Sequence, residues 1–371
     1  MRKYLLTIVV FIAILGLLVF VHELGHFVVA KKSGMKVDEF GFGFPPRIYG
    51  KKWGDTLYSL NLLPFGGFVK VWGEDDIEGL GDMQNFASHT AWSRFLVLVA
   101  GVAMNFLLAY LIFSVGVAGG MPLPGEFARL LFPSNDVQQT VHVGGVVPGS
   151  PAEQAGLLSG DTIRQIMISS GREIIPIASV SKMQEIIGAE EGNEIRLYII
   201  REGIQQEIEI VPRKNPDAER AAIGVFLVEE HVVDVPFWRA PWDGARVTFF
   251  VVMETIQGLG SMVANLFTGN TEMVKESVRG PIGIAEIAGE TARAGFTQTM
   301  LLVAVLSLTL GVLNLLPIPA LDGGRIFFLL IEKIRGKPIP LPVSQYAHAA
   351  GFVALLLLML VVTYLDIQRI F

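Results

Sequence analysis

The sequence predicts a polytopic α-helical membrane protein with four transmembrane helices, a membrane-associated β-hairpin or small sheet, and one extracytoplasmic α+β domain. Three observations predict it. The 371 residues are 51% hydrophobic and only 17% charged, with a mean hydropathy of +0.52, too apolar for an ordinary soluble chain of that length. Apolar runs long enough to cross a bilayer at about 1.5 Å per residue recur along the chain. Between the second and third of them lies a long stretch of short β-rich runs and turns.

Composition also excludes classes of function. A net charge of −6, with no basic run beyond pairs such as Lys31-Lys32, offers no cationic footprint for nucleic acid. The absence of cysteine removes thiolate metal sites, cysteine nucleophiles and disulfides, so a metal must be held by His, Asp or Glu.

The first span occupies residues 1–30. It is too long for the apolar core of a signal peptide, and no small-x-small cleavage site follows it. Residues 31–94 form a cytoplasm-side β region: "GDTLYSLNLLPFGGFVKVWGED" alternates and is rich in β-formers, and "GFGFPPRIYG" precedes it. Backbone of this kind is tolerable at membrane depth only when buried in protein or lining a polar cavity. Residues 95–120 are the second span. The α+β domain covers 121–232, and 233–298 are expected as amphipathic helices on the outer side, because Arg246, Glu254, Gln257 and several glycines punctuate the apolar pattern. The third span runs over 299–321, a cytoplasmic loop over 322–345, and the fourth span with the C-terminus over 346–371.

Orientation follows from the short loops. Lys31, Lys32, Lys36, Arg47, Lys51, Lys52, Lys70 and Arg94 follow the first span, and Arg325, Lys333, Arg335 and Lys337 follow the third. Both loops are therefore expected in the cytoplasm and the α+β domain outside.

Chemistry concentrates in "VFVHELGHFVVA". His22 and His26 are four apart, on one face of a helix, and can converge on one Zn²⁺, with Glu23 beside them to act on water. Each ionisable group in lipid costs several kcal/mol unless paired or functional, so three together need a reason. Catalytic zinc takes three protein ligands, and the candidate for the third is Asp322 in "NLLPIPALDGGR", between Pro317, Pro319 and the flexible pair Gly323-Gly324. In an alternating four-span chain the first and third helices run the same way, which places His22, His26 and Asp322 at one depth near the cytoplasmic side. Asn314 is an amide in the third span suited to substrate backbone or an oxyanion, or to an interhelical hydrogen bond. Asn105, in "AGVAMNF", reads as helix packing.

In the outer segment, "VVPGSPAEQAGLLSGDTIRQI" resembles a PDZ domain, a module that binds extended peptides by adding a strand. Together with "HELGH", "GFGF…LNLLPFGGFVKV", "AGVAMNF" and "NLLPIPALDGG", in that order over nearly the whole chain, it resembles the site-2 protease family, in its bacterial PDZ-bearing branch of the regulator of sigma-E protease type. The resemblance implies His22, His26 and Asp322 as zinc ligands, Glu23 as general base, and Asn314 as a substrate contact. It implies capture of an unfolded substrate as an added strand by the β segment, for which Leu57, Tyr58, Gly66, Gly67 and Phe68 are the candidates. The expected activity is zinc-dependent peptide hydrolysis in regulated intramembrane proteolysis, at the bacterial inner membrane. The substrates implied are single-span proteins such as anti-sigma factors and remnant signal peptides, with a peptide or substrate ectodomain at the PDZ domain. Two departures concern gating outside the membrane and not the catalytic set: one PDZ domain instead of a tandem pair, and GFGFPP instead of a shorter GFGP-like turn. A catalytically inactive PDZ-bearing scaffold is the alternative, and it gives no reason for His22, Glu23, His26 and Asp322 to occur together. A transporter would show an internal repeat, and none is evident.

Overall fold

A computed structural model of the chain describes residues 2–74, 81–133, 137–168, 173–177, 179–201, 203–214, 221–233, 235–268 and 278–370. Contacts divide it into two compact units, residues 1–113 with 244–371, and residues 114–243.

In the first unit the long apolar run at the N-terminus makes one helix, α1 (Arg2–Lys32), whose last turn carries Lys31 and Lys32. Gly34, at φ +82°, reverses the chain. Two long strands follow, β1 (Val37–Trp53) and β2 (Thr56–Val71), joined at Gly54, where φ is +61°. They pair in more than one register. Residues 39–42 lie opposite both 57–60 and 67–70, and residues 49–52 lie opposite 57–60 again, so the ribbon folds over on itself. The expected β region is therefore present, with residues 57–60 in its interior and 67–71 along an edge. It lies against α1: Phe20 and Phe27 meet Phe40 at ring-centroid distances of 5.7 and 5.0 Å, and Phe27 meets Tyr58 at 5.9 Å.

Helix α2 (Ala91–Ala118) runs on from this region. It packs on α1 through glycine: a Cβ on Gly25 would meet the Ala100 carbonyl, and one on Gly101 would meet the His22 and His26 rings. Small residues at such crossings allow backbones in an apolar medium to approach closely.

The second unit begins with the end of α2 and holds the expected α+β domain. Its strands and helices are β3 (Met121–Pro124), α3 (Gly125–Leu131), β4 (Val137–Val146), α4 (Pro151–Gln154), β5 (Thr162–Ile168), β6 (Glu173–Pro176), α5 (Val180–Ala189), β7 (Ile195–Arg201), β8 (Ile204–Ile210), the two-residue pair β9 (Arg213–Lys214) and β10 (Ala221–Ala222), and β11 (Val225–Val233). The main sheet runs β3-β11-β4-β5-β7-β8, with β6 on β5. Ser150 and Ser179 cap α4 and α5 by accepting from Glu153 N and Lys182 N. Ile163, Ile166, Met183, Leu197 and Ile199 form the core at 0% exposure.

The "AGLLSGD" segment is built around a buried carboxylate. Asp161, 1% exposed, accepts from Arg201 Nε (2.7 Å), Arg201 Nη2 (2.6 Å) and Leu158 N (2.9 Å), and Gly156 and Gly160 make the turns at φ +81° and +95°. Arg201→Ala would leave that charge buried without its fork partner. The expected result is a loss of about 3–5 kcal/mol of stability in this unit, read as faster hydrogen exchange over β5 and β7 in the full-length protein.

The chain returns to the first unit through α6 (Ala240–Thr268), a continuous 29-residue helix. Helices α7 (Pro281–Ala294), α8 (Phe296–Asn314), α9 (Asp322–Arg335) and α10 (Leu341–Ile370) complete it. Residues 269–277 of the segment expected as outer-side helices lie outside the described residues. Asp366 of α10, 2% exposed, accepts from Gly280 N and Gly283 N and so caps α7.

Two boundaries differ from expectation. Among the described residues five helices, not four, have the length and composition to cross a bilayer, the additional one being Ala240–Asn265, with a hydropathy of 1.5 over its most apolar window. Its glycines do not interrupt it, because an interior glycine costs a helix only about 1 kcal/mol. The third span ends at Asn314 and Asp322 opens a new helix, α9, so residues 322–335 are not loop. Pro317 and Pro319 impose the break between the two helices. Gly323 and Gly324, expected as flexible, are instead packing positions: a Cβ on either would strike the carbonyls of Leu316 or Ile318.

Candidate metal centre and active site

Helical spacing brings His22 and His26 together, both buried, and the break after α8 returns Asp322 to them across 300 residues of sequence. His22 Nε2 and His26 Nε2 are 3.1 Å apart, His22 Nε2 and Asp322 Oδ2 are 3.0 Å apart, and His26 Nε2 and Asp322 Oδ2 are 3.4 Å apart. Donor atoms tetrahedrally disposed at about 2.0–2.1 Å around zinc are themselves about 3.3–3.4 Å apart. The donor set, two imidazoles and a carboxylate, and its spacing therefore fit zinc. The remaining ring nitrogens are also engaged: His26 Nδ1 donates to the Val97 carbonyl at 2.8 Å, and His22 Nδ1 lies 3.2 Å from Asn105 Nδ2.

Glu23 is half-buried and faces a cavity of about 540 Å³ that His26, Asp322, Phe68, Val69, Val71, Glu74, Arg325 and His348 help to line. The first turn of α9 thus supplies both the third candidate ligand and, one turn on, Arg325, which pairs with Glu74 at the end of β2. His348 of α10 accepts from the Ala320 N–H at 2.8 Å. Ala320 has a φ of +81° two residues before Asp322, so α10 holds the strained turn that presents the ligand.

The sequence candidates separate into three groups. His22, Glu23, His26 and Asp322 converge on one site. Gly67 and Phe68 adjoin it, a Cβ on Gly67 lying 3.7 Å from Glu23 Cγ and Phe68 lining the cavity; Gly66 instead meets α1 one turn earlier, where a Cβ would lie 3.4 Å from Val19 Cγ1. Leu57 and Tyr58 do not adjoin it. They have strand partners on both sides, at Glu39 and Lys52 and at Phe40 and Lys51, and Tyr58 packs in an aromatic group with Phe27, Phe40 and Trp53. Neither has a free side for an added strand, which corrects the expectation; the alternating pattern could not distinguish an interior strand from an edge. Asn314 ends α8, half-buried, and does not line the cavity.

The wall opposite α1 was not legible as part of the site: Asn105 read as helix packing, and Val97 and Gly101 carried no signal. Val97, Gly101 and Asn105 are four apart on one face of α2 and meet His26, both imidazoles, and His22 in turn. The Gly101-to-Asn105 step repeats the His22-to-His26 step, a signal that has meaning only once the two helices are known to run antiparallel and in contact.

Comparison with known proteins gives three findings. A model of the family described as Peptidase family M50 matches residues 10–358. The chain is 31% identical to a protein of Oceanobacillus iheyensis named zinc metalloprotease RasP, over 98% of this chain and 99% of that one, and 30% identical to one of the same name from Geobacillus kaustophilus, over 100% of both. A Bacillus subtilis protein named regulator of sigma-W protease RasP is 30% identical, over 98% and 99%. Among solved structures, the PDZ domain of an SdrC-like protein from Listeria monocytogenes aligns with 24% of this chain and 86% of its own, at 20% identity and a TM-score of 0.21.

Proposed function

The chain belongs to peptidase family M50, and from that premise we propose that it is a zinc metalloendopeptidase that cleaves single-span membrane proteins within the bilayer, as a step of regulated intramembrane proteolysis. The observation that carries the reading is the triangle of His22 Nε2, His26 Nε2 and Asp322 Oδ2, with Glu23 on the adjoining cavity wall. His22, His26 and Asp322 would hold the zinc, which when bound would supply Lewis acidity toward water and the scissile carbonyl. Glu23 takes the proton of the attacking water and passes it to the leaving amine.

A helix in lipid hides its amides in internal hydrogen bonds, so a substrate must be extended before it is cut. The second half of β2 is suited to hold it. Residues 67–71 have strand partners on one side only among the described residues, and Phe68, Val69 and Val71 line the catalytic cavity. For Asn314 as a substrate contact the support is the family resemblance alone.

The site belongs near the cytoplasmic face of the bacterial inner membrane, because basic residues close both helices that lead away from it: Lys31 and Lys32 on α1, and Lys333 and Arg335 on α9. The α+β unit, read as a PDZ domain, lies outside. Among the described residues, 225–229 of β11 pair only with β4, whereas 230–233 also pair with β3; the open stretch is where a peptide or substrate ectodomain would add. Substrates of the anti-sigma-factor type, with remnant signal peptides, suit a chain whose relative is named for regulating sigma-W.

The test uses the full-length protein in lipid nanodiscs. Purified protein is expected to bind one zinc per chain, to lose it in His22→Ala, and to cleave a single-span substrate only with zinc restored after chelation. A His22→Ala variant that still binds zinc stoichiometrically sinks the ligand assignment.

A further inference from the structure

We infer that Asn105 is a positioning residue of the metal centre, whose side-chain carbonyl holds the proton of His22 Nδ1 and so commits His22 Nε2 to the metal. The inference rests on the reading of His22, His26 and Asp322 as zinc ligands.

An imidazole that gives its Nε2 lone pair to a cation carries its proton on Nδ1. Buried N–H groups require an acceptor, and in metal sites that acceptor fixes the ring plane and the tautomer. For His26 the acceptor is the Val97 carbonyl, at 2.8 Å. For His22 the polar group in place is the Asn105 carboxamide: Asn105 is 0% exposed, and its Nδ2 lies 3.2 Å from His22 Nδ1.

The orientation of that amide decides its role. With Nδ2 toward the ring, Asn105 would donate to Nδ1, which leaves the proton on Nε2 and blocks the lone pair. In that orientation the buried Asn105 Oδ1 also has no hydrogen-bond partner among the described residues. A half-turn about χ2 exchanges the two ends and gives Oδ1 the Nδ1–H. Either orientation leaves one end of the amide without a described partner, and only the second is compatible with a cation on Nε2. The backbone that carries the amide is itself fixed, because the Asn105 carbonyl accepts from Ser307 Oγ of α8 at 2.8 Å, and Ser307 is 0% exposed. Three helices therefore meet at this residue: α1 through the ring, α2 through the amide, and α8 through the hydroxyl.

Sequence position agrees with the geometry. Val97 and Asn105 stand eight residues apart on α2, two turns, and bracket Gly101, which leaves the space that the two rings occupy. The pair His22 and His26 is thus matched on the facing helix by one acceptor for each ring.

The experiment is zinc affinity by equilibrium competition with a chelator, on the full-length protein in nanodiscs, for wild type, Asn105→Leu, Asn105→Asp and His22→Ala. Asn105→Leu is expected to weaken zinc binding about 10–100-fold. Asn105→Asp, the same shape with acceptors only, is expected to hold zinc close to wild type. Asn105→Leu with wild-type affinity overturns the inference. So does Asn105→Asp that loses as much affinity as Asn105→Leu, since the amide would then act as a donor. Where the Leu variant does not fold, the Asp variant decides against wild type alone: affinity close to wild type supports the inference, and a loss of about 10-fold or more overturns it. His22→Ala tests the underlying reading separately: its retention of zinc would remove the ligand assignment, whereas its loss beside an unaffected Asn105→Leu would remove only the role of Asn105.

Discussion

Glu23→Gln is expected to reduce cleavage of a single-span substrate by about 10²–10⁴-fold or more while zinc stays bound. Proton transfer by a positioned side chain accounts for about that factor, and glutamine has the size of glutamate without its basicity. Glu23 is not one of the three clustered donors, whose mutual separations run from 3.0 to 3.4 Å, so the metal should be retained. The two readouts separate the roles: zinc per chain by metal analysis, and product formation in a single-turnover assay. Normal cleavage by Glu23→Gln would remove Glu23 as the base. Loss of zinc in that variant would move it among the ligands. A variant that binds substrate and zinc without turnover would also retain substrates in native membranes, where they can be identified.

Gly101→Ala should disable the centre from the opposite helix. The added methyl would lie 2.8 Å from His22 Cε1 and from His22 Nε2, and closer still to His26 Nε2, distances that real Cβ atoms do not tolerate. Relief by α2 moving away would open the close contact between Gly25 of α1 and the Ala100 carbonyl; relief by turning the rings would displace their donor atoms. Overpacking of this kind costs about 1–3 kcal/mol, which corresponds to about 5–140-fold in zinc affinity at 1.4 kcal/mol per tenfold. Gly258→Ala in α6, where among the described residues nothing outside its own helix backbone lies within 4 Å of the added atom, is the control and should leave zinc binding unchanged. Equal affinity in Gly101→Ala and Gly258→Ala would show that the rings do not depend on the space above Gly101.

Local chemistry was legible before the fold was seen. His22, Glu23 and His26 form a pattern within one helical turn, and their cost in lipid singles them out. Asp322 was legible for a related reason, as a carboxylate among helix breakers in an apolar setting. The α+β unit was legible from its alternating β-rich runs and from the "VVPGSPAEQAGLLSGDTIRQI" stretch. The β region was legible as β, but not in its order: residues 57–60 and 67–70 have similar composition, and only pairing shows the first to be interior and the second an edge. The segment of residues 240–268 was legible as helical, but not as a single unbroken helix of 29 residues, because its polar residues and glycines read as interruptions.

By itself the sequence determined which residues are the candidates for the chemistry, since helical spacing within α1 puts two imidazoles on one face, and cysteine-free composition leaves only a carboxylate or another imidazole to join them. Tertiary structure alone decided how the centre is closed. That Asp322 begins a helix instead of ending one, that Gly323 and Gly324 are packed instead of flexible, that Gly101 makes room for the rings, and that Val97 and Asn105 face one ring each all depend on which helix lies against which. The physical reason is range: periodicity acts over a few residues along one helix, whereas a ligand set spanning 300 residues and its hydrogen-bond partners are set by close packing between helices.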